Sequence, residues 1–220
     1  MVFEIDLEWP VASQYVLRPV APAGSAKKEL ALYPADDATI TYRRPLEREP
    51  TLYAKFARLD GSQQSCLNFA QKYGLLAVSR YPDYFDLSQI ETLSFWRAHI
   101  KSIRKIIALC ELGHSNPAEA FRQFGKHEFP LYGDLELSLS IKSPRTPPSI
   151  DVRSTYLLAA IELQAIQSII AGRKSVQCIE CSKFYEIGGG ARRSLSKFCS
   201  QRCKDTYHNR LKALKRSKEK

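Results

Sequence analysis

The chain has 220 residues, of which 44% are hydrophobic and 25% charged, and its formal net charge is +10. This composition is typical of globular proteins, so we expect a folded chain and not one that is disordered throughout. No run of about 18 uncharged apolar residues occurs, and the first eight residues include three acids where a signal peptide would be basic and apolar. We therefore expect a cytoplasmic protein without a membrane partner.

Alternating apolar residues predict short, half-buried strands in the first 150 residues. These alternations are Phe3, Ile5 and Leu7; Ile40 and Tyr42; and Leu135, Leu137, Leu139 and Ile141. Together they indicate a small, mostly antiparallel sheet.

Helical patterns lie between these strands. One helix is predicted from Ser62 to Tyr73, ending at Gly74. A longer helix is predicted over residues 87–112, because apolar residues recur there at steps of three and four before Gly113. A short helix is expected from about Ser115, with a proline in its first turn, to about Gly125.

The polar, proline-rich residues 142–149 are the best candidate for a linker. A strongly apolar helix, Tyr156 to Ala171, follows and is expected to pack on the first domain or on a second subunit. We therefore predict an α+β protein in three parts. These are an α+β domain over 1–150 with a possible ligand-sensing or dimerisation role, a connecting helix over 151–172, and a C-terminal zinc finger over 173–220.

The positive charge is concentrated at the C-terminal end. Between Arg173 and Lys220 there are 14 Lys and Arg residues against four Asp and Glu residues, which accounts for the whole net charge of +10. The remaining 19 bases and 19 acids balance in residues 1–172. Such an asymmetry favours a polyanionic partner, although a merely solubilising tail has the same composition.

Four of the six cysteines lie in this basic segment, at Cys178, Cys181, Cys199 and Cys203. Two close pairs about twenty residues apart are typical of a structural Zn²⁺ site with four thiolate ligands. Two disulfides are one alternative, and a redox-active CxxC pair is another. A site of three cysteines and His208 is a further alternative. The isolated Cys66 and Cys110 are expected to be small buried apolar residues.

The local pattern predicts a treble-clef arrangement around the metal. The first cysteine pair leads into a strand at Phe184 to Ile187, and Ser196 to Phe198 is predicted to return as a second strand. Ser200 is a favourable N-cap for a helix running to about Arg216. At 100° per residue, one face of that helix carries Cys203, Tyr207, Leu211 and Leu214 and is expected to be buried, while the neighbouring face is basic.

These motifs resemble the zinc finger of bacterial CGNR-type proteins and of related uncharacterised bacterial zinc-finger proteins. The similar residues are Cys-x2-Cys-x2-Phe-Tyr from Cys178, then Lys-Phe-Cys-Ser-x2-Cys from Lys197, within a stretch covering about 153–216. The family's four-residue Cys-Gly-Asn-Arg motif is absent, and only Asn209-Arg210 is similar to part of it. The resemblance implies a transcriptional regulator whose finger binds DNA, with the four cysteines as metal ligands.

We therefore predict a nucleic-acid-binding protein, with duplex DNA as the favoured partner, zinc as cofactor and a homodimer as a possibility. The predicted contacts are polar or basic residues of the finger: Arg192, Arg193, Lys204, His208, Asn209, Arg210, Lys212, Lys215 and Arg216. RNA is an alternative partner, with Tyr185, Phe198 and Tyr207 as candidates for base stacking. A second alternative is a non-catalytic protein-interaction or dimerisation module held together by structural zinc.

No catalytic motif was found. The sequence lacks a dinucleotide-binding glycine motif, a P-loop, a GxSxG motif and an HExxH motif. A treble-clef nuclease would need a histidine base in the hairpin, and residues 184–198 contain no histidine. We therefore predict that the protein is not an enzyme.

Overall fold

A computed structural model describes residues 4–21, 28–77, 91–115, 119, 135–140, 149–154, 156–188 and 196–218. The chain forms two compact units, Met1–Gln167 and Ser168–Lys220. Among the described helices, none combines the length and the apolar character needed to cross a bilayer.

Ten strands and six helices are described, and the architecture is α+β as predicted. The strands are β1 (Glu4–Asp6), β2 (Trp9–Ala12), β3 (Tyr15–Val20), β4 (Glu29–Pro34), β5 (Ile40–Arg43), β6 (Glu91–Thr92), β7 (Leu135–Ser140), β8 (Ser149–Ser154), β9 (Arg173–Gln177) and β10 (Phe184–Gly188). The helices are α1 (Pro45–Arg48), α2 (Leu52–Ala57), α3 (Gln63–Tyr73), α4 (Leu93–Ser115), α5 (Leu157–Ile170) and α6 (Gln201–Lys218).

The strands of the first unit form three small sheets, with the orders β1-β8-β7, β2-β5 and β3-β4-β6. Antiparallel pairing prevails, with Trp9 opposite Arg43 and Leu17 opposite Leu32, for example. The β1–β8 pair is parallel, with Ile5 opposite Val152. The first unit therefore contains several small sheets where the sequence suggested one.

Aromatic side chains from separate helices form the core of the first unit. The ring of Phe56 on α2 lies 5.3 Å from that of Phe69 on α3 and 6.0 Å from that of Trp96 on α4. Trp9 of β2 is fully buried and donates a hydrogen bond from Nε1 to the Leu75 carbonyl at 2.9 Å. Burial of these large rings contributes to the hydrophobic stabilisation of the unit.

Helix α5 completes this core, as its apolar sequence predicted. Its residues from Leu157 to Ile161 are fully buried, and the Leu158 N–H donates to the Leu76 carbonyl at 3.0 Å. Gln164 accepts from the Tyr53 N–H and donates to the Glu49 carbonyl. The polar side chain on this apolar helix thus joins α5 to the region of α1 and α2.

The predicted boundaries of α3 are confirmed. The Ser62 hydroxyl accepts a hydrogen bond from the Ser65 N–H, as an N-cap does. Gly74 ends the helix with φ +94°, and a Cβ there would lie 2.7 Å from the Pro10 carbonyl oxygen. Glycine is therefore required for both its conformation and its close contact with β2.

The predicted boundaries of α4 are wrong at both ends. The helix begins at Leu93, since Glu91–Thr92 instead form a strand opposite Ala31 and Leu32 of β4. Gly113 does not stop it, and the helix continues to Ser115. Tertiary pairing with β4 outweighs the helical periodicity at the N-terminal end.

The three predicted strands of the first unit are present, but one of them is more exposed than expected. β1, β5 and β7 are present, but Ile40 and Tyr42 are 38% and 45% exposed, so β5 is not half-buried as expected. β2, β3, β4, β6 and β8 were not predicted. Phe3, Ile141, the proposed linker before Ser149 and nearly all of the short helix predicted after Ser115 lie outside the described residues.

Glu49 is the partly buried carboxylate of a charged cluster in the first unit. It lies 2.5 Å from Lys55 Nζ and 3.6 Å from Lys72 Nζ, and it accepts a hydrogen bond from the Tyr73 hydroxyl. Burial alone would raise the pKa of Glu49, but the hydrogen bond and charge of Lys55, with help from Lys72 and Tyr73, lower it below its usual value.

We predict that Glu49→Gln lowers the free energy of unfolding by about 1 kcal/mol at pH 7. A lowered folded-state pKa contributes stability above the pKa of the unfolded chain, and this contribution is lost as pH falls through the folded value. Urea unfolding should therefore show a difference in the free energy of unfolding between wild type and variant at pH 7, and this difference should shrink below about pH 4. A difference that is the same at both pH values would contradict this origin.

Candidate metal centre

The first cysteine pair lies at the tip of an antiparallel hairpin. β9 pairs with β10 so that Tyr185 is opposite Val176 and Gly188 is opposite Arg173. Residues 178–183 connect the two strands and contain Cys178 and Cys181. This corrects the predicted hairpin, because β10 pairs with the strand before the cysteines and residues 196–198 do not form a strand.

A network of backbone hydrogen bonds shapes this connection, the knuckle formed by residues 178–183. The Cys178 N–H donates to the Lys183 carbonyl at 2.9 Å, and the Ser182 N–H donates to the Cys178 carbonyl at 2.9 Å. Ser182 has φ +57°, a left-handed conformation that costs a residue with a Cβ about 1–2 kcal/mol. The knuckle therefore holds its backbone in a strained turn that places both thiols on one side.

The second cysteine pair lies at the beginning of α6. The Ser200 hydroxyl accepts from the Cys203 N–H at 3.2 Å, which confirms the predicted N-cap. Cys199 immediately precedes this cap and Cys203 lies in the first turn. The cap thus positions both cysteines relative to the helix axis.

The stretch before this cap joins the helix to the knuckle. The Ile179 N–H donates to the Lys197 carbonyl at 3.2 Å, and the Tyr185 hydroxyl donates to the Ser196 carbonyl at 2.7 Å. Residues 196–198 therefore lie along the hairpin tip without adding a strand.

The four thiols converge on one point. The Sγ atoms of Cys178, Cys181, Cys199 and Cys203 all lie within 4.8 Å of one another. Cys199 Sγ is 3.5 Å from both Cys181 Sγ and Cys203 Sγ. A tetrahedral ion with metal–sulfur bonds of about 2.3 Å separates its sulfur ligands by about 3.8 Å, so the arrangement can hold one metal ion.

The hydrogen-bonding environments of the thiols differ. Burial would raise the pKa of Cys178, but backbone N–H groups of Cys181, Cys199 and Glu180 stabilise its thiolate and lower the pKa to about 6. Burial, together with the thiols of Cys181, Cys203 and Cys178, raises the pKa of Cys199 to about 12. Four such thiolates repel one another, and a divalent cation offsets that repulsion.

The geometry distinguishes among the alternatives to a four-cysteine site. All four cysteines are free thiols, so no disulfide joins them in this structure. The CxxC pair lies in a hairpin turn and not at the start of a helix, unlike a thioredoxin-type redox motif. Of the described residues, the group that converges contains Cys178, Cys181, Cys199 and Cys203 without His208.

The isolated Cys66 is fully buried, as predicted, and burial raises the pKa of its thiol. The side chain of Cys110 lies outside the described residues.

A small apolar core supports the cysteines. Tyr185, Ile187 and Cys178 are buried together, and the partly buried Val176 and Phe198 pack against them. The ring of Phe198 lies 5.3 Å from that of Tyr207 on α6. Since Tyr185 is only 7% exposed, its ring is a core residue and not an available stacking surface.

The basic face of α6 is exposed. Lys204, His208, Asn209, Lys212 and Arg216 are exposed side chains, as the prediction of nucleic-acid contacts requires. Arg192 and Arg193 lie outside the described residues, and so does the side chain of Lys215.

The other face of α6, which carries Cys203, Tyr207, Leu211 and Leu214, was predicted to be buried. That prediction is wrong for the C-terminal half of the helix. Cys203 and Tyr207 are partly buried, but Leu211 is 39% and Leu214 53% exposed. The finger core described above reaches α6 through Cys199, Cys203 and the Phe198 ring that contacts Tyr207, and none of its members comes from the later turns of the helix.

Two acids of the finger pair with arginines in the same unit. Glu180, whose side chain is 13% exposed, lies 2.8 Å from Arg210, and the Arg210 guanidinium lies 5.7 Å from the centre of the Tyr207 ring. Glu186 lies 3.0 Å from Arg173 and also accepts from the Ser168 hydroxyl. These two pairs carry no local sequence signal, because their members are 30 and 13 positions apart.

Comparisons with known protein families, with curated proteins and with solved structures found no match to this chain. The resemblance to CGNR-type proteins therefore stays a prediction.

We predict that the conformation of Ser182 affects metal affinity. Ser182→Gly should bind Zn²⁺ as tightly as wild type or more tightly, because glycine adopts the left-handed conformation without a penalty. Ser182→Val should weaken binding by about tenfold, because a β-branched residue is strained there. Competition with a chromophoric chelator measures the Zn²⁺ dissociation constant of each variant. Equal affinities for the two variants would contradict the proposed strain.

Proposed function

We propose that residues 168–220 form a structural zinc module that binds nucleic acid, with duplex DNA as the partner. The observation that carries this proposal is the combination of four convergent thiols with an exposed basic face on the helix that two of them begin. Among the described acids of the finger, Glu180 and Glu186 pair with arginines, and Asp205 accepts a hydrogen bond from the Gln201 side chain. The exposed lysines of α6 are therefore available to an external anion.

Zinc fits the donor set better than Mg²⁺, Ca²⁺ or an iron–sulfur cluster. Four thiolates favour Zn²⁺ or iron, while Mg²⁺ and Ca²⁺ require oxygen ligands. An iron–sulfur cluster places several iron and sulfide atoms between its cysteines, and sulfur atoms within 4.8 Å of one another enclose a single ion more readily. With all four positions occupied by thiolates, the ion has no open position for catalysis, which supports a structural and non-catalytic role.

The ion would join the hairpin tip to the helix. Cys178 and Cys181 belong to the knuckle, whereas Cys199 and Cys203 belong to the start of α6. Metal binding would therefore set the direction in which α6 leaves the hairpin. The Arg210–Glu180 pair adds a second connection one to two turns farther along the helix.

Duplex DNA is favoured because the basic surface is an exposed α-helix. α6 has 18 residues, a length of about 27 Å, and an α-helix fits the major groove. Lys204, Lys212 and Arg216 would contact phosphates, which provide affinity without sequence preference. Asn209 is an exposed candidate for a base contact, whereas Arg210 is already bound to Glu180.

The biological role follows from the resemblance to CGNR-type proteins. We propose a bacterial transcriptional regulator that acts in the cytoplasm, where cysteines remain reduced and available to zinc. In such a regulator the first unit would supply ligand sensing or dimerisation.

Removal of the metal should unfold the finger and abolish DNA binding together. We expect one Zn²⁺ per chain by elemental analysis, and a chelator or Cys181→Ser should decrease the helical circular dichroism that α6 contributes. Cys66→Ser is the matched control, because Cys66 lies in the first unit and outside the cluster. If protein purified from cells grown in zinc-supplemented medium contained no bound zinc, the proposal would be refuted.

Removal of two positive charges from α6 tests the proposed DNA contact. Lys204→Gln with Lys212→Gln should weaken binding to a fluorescein-labelled 24-base-pair duplex and reduce the salt slope, d log K/d log [salt], by about 2. Lys174→Gln with Lys183→Gln removes the same charge from exposed positions on β9 and the knuckle, and should have a smaller effect. Equal effects from the two pairs would show that only overall charge matters.

Exposed apolar residues favour a second candidate function, a protein-interaction module. Ile179 of the knuckle is 51% exposed and Leu211 of α6 is 39% exposed. A partner protein or a second copy of this chain would cover them. In that case Ile179→Asn with Leu211→Asn would change the mass of the complex measured by light scattering. Lys204→Gln with Lys212→Gln would leave binding to that partner unchanged.

A further inference from the structure

Strand β5 of the first unit lies at the edge of its sheet and is exposed along its whole length. Among the described strands, β2 pairs with one side of β5 and none pairs with the other side. All four residues of β5 are exposed, whereas all four residues of β2 are buried. We call the side of β5 that faces away from β2 the outer edge.

The pairing with β2 determines which backbone groups point to the outer edge. Hydrogen-bonding groups of successive residues in a strand point alternately to its two sides. The Thr39 carbonyl accepts from the Ser13 N–H at 2.8 Å, so Thr39 points towards the chain segment that carries β2. Ile40 and Tyr42 therefore point outwards, and Tyr42 lies opposite Pro10, which has no N–H to donate. The outer edge thus presents the N–H and carbonyl groups of two residues.

The side chains of β5 are also suited to a paired strand. Natural edge strands are commonly protected by proline or by charged side chains. Residues 40–42 are instead Ile, Thr and Tyr, which are among the residues most favoured in sheets. Ile40 and Tyr42 lie on the same face and are 38% and 45% exposed. A strand added at the outer edge would cover part of this apolar surface.

We propose that the outer edge of β5 pairs with β5 of a second copy of this chain, in an antiparallel dimer whose twofold axis passes at Thr41. Such an interface brings the same surface of both subunits together. Thr41 then lies opposite Thr41 of the second copy, and Ile40 of each chain lies opposite Tyr42 of the other. Pairs of threonines, and pairs of an aromatic with a β-branched residue, stabilise a sheet. Each Ile40–Tyr42 pair would exchange two N–H···O bonds between the chains.

The charges at the two ends of β5 favour a second copy, in antiparallel orientation, as the occupant. Arg43 ends the strand, and the turn before it carries Asp36 and Asp37. In the proposed register Arg43 lies opposite Thr39 of the second copy, close to that acidic turn. Asp36 pairs with Arg18 of its own chain, and Asp37 is exposed. Opposite charges are therefore brought together at both ends, whereas parallel pairing would bring like charges together.

Sedimentation equilibrium of the full-length chain in the presence of zinc tests whether it dimerises. Because the strand pair is short, we expect a dimer that depends on protein concentration. The average mass should rise from that of one 25.0 kDa chain towards twice that value between about 1 and 300 µM. The mass of a single chain at every concentration would overturn the proposal.

Ile40→Lys tests whether β5 forms the interface. A charge placed on the outer edge should raise the dimer dissociation constant at least about tenfold. Ile179→Lys is the matched control, because Ile179 is an isoleucine of the finger that is 51% exposed. Thermal unfolding of each variant verifies that it remains folded. If Ile40→Lys weakens the dimer no more than Ile179→Lys does, the β5 proposal is wrong.

An engineered disulfide tests the register. Thr41→Cys would place two thiols in a non-hydrogen-bonded pair with Cα atoms about 4.5 Å apart, within the range that a disulfide spans. Thr39→Cys is the matched control, because the two copies of this exposed residue would be offset by about 13 Å along the strands. After oxidation with oxidised glutathione, a non-reducing gel measures the cross-linked dimer, and wild type gives the background. Cross-linking of Thr41→Cys that does not exceed that of Thr39→Cys would overturn pairing about Thr41.

Discussion

The convergence of four thiols is the constraint on which the structure of the second unit depends. Among its described residues, only Cys178, Tyr185 and Ile187 form a buried cluster, and one of these is itself a cysteine of the metal site. So small a core does not stabilise a domain, and small domains of this kind usually require metals or disulfides. Zinc-finger peptides bind a structural Zn²⁺ ion with about 10–16 kcal/mol at pH 7, and binding of that strength by the proposed zinc site would be sufficient to hold the hairpin to the helix.

Several arginines make contacts within their own unit, whereas Lys204 and Lys212 of α6 are exposed. Arg173 and Arg210 pair with glutamates, and Arg97 and Arg104 bind backbone carbonyls. Arginine suits these roles because its planar guanidinium donates several hydrogen bonds at once. Lys204 and Lys212 keep their charge at the surface, where long-range attraction of an anion would depend on it.

The elements with strong local signals could be predicted from the sequence. The end of helix α3 was predicted from Gly74 and the start of α6 from Ser200 as its N-cap, and the Ser62 N-cap of α3 is seen in the structure. The candidate metal centre was predicted from the spacing and sequence context of the cysteines. These features could be predicted because a cap, a glycine turn or a pair of ligands three or four positions apart acts over a short stretch of the chain.

The elements that depend on distant partners could not be predicted. Arg173–Gln177 is a polar stretch that becomes β9 only because β10 returns beside it, and Glu91–Thr92 becomes a strand only because β4 offers an edge. In the same way, the helical periodicity of α6 correctly places Leu211 and Leu214 on the face of Cys203, yet both are exposed. Periodicity predicts which residues share a face of a helix. Whether that face is buried depends on whether another element of the fold packs against it.

The sequence by itself therefore determined the α+β composition, the four cysteines of the candidate metal centre and the basic character of the last helix. Tertiary structure decided which strand completes the hairpin, that Arg210 is bound to Glu180, and that Leu211 and Leu214 of α6 are exposed. The physical reason is range: thiol spacing, capping and charge content are local properties of the chain. Strand pairing, ion pairing and burial require groups that are distant in sequence to be brought together by the fold.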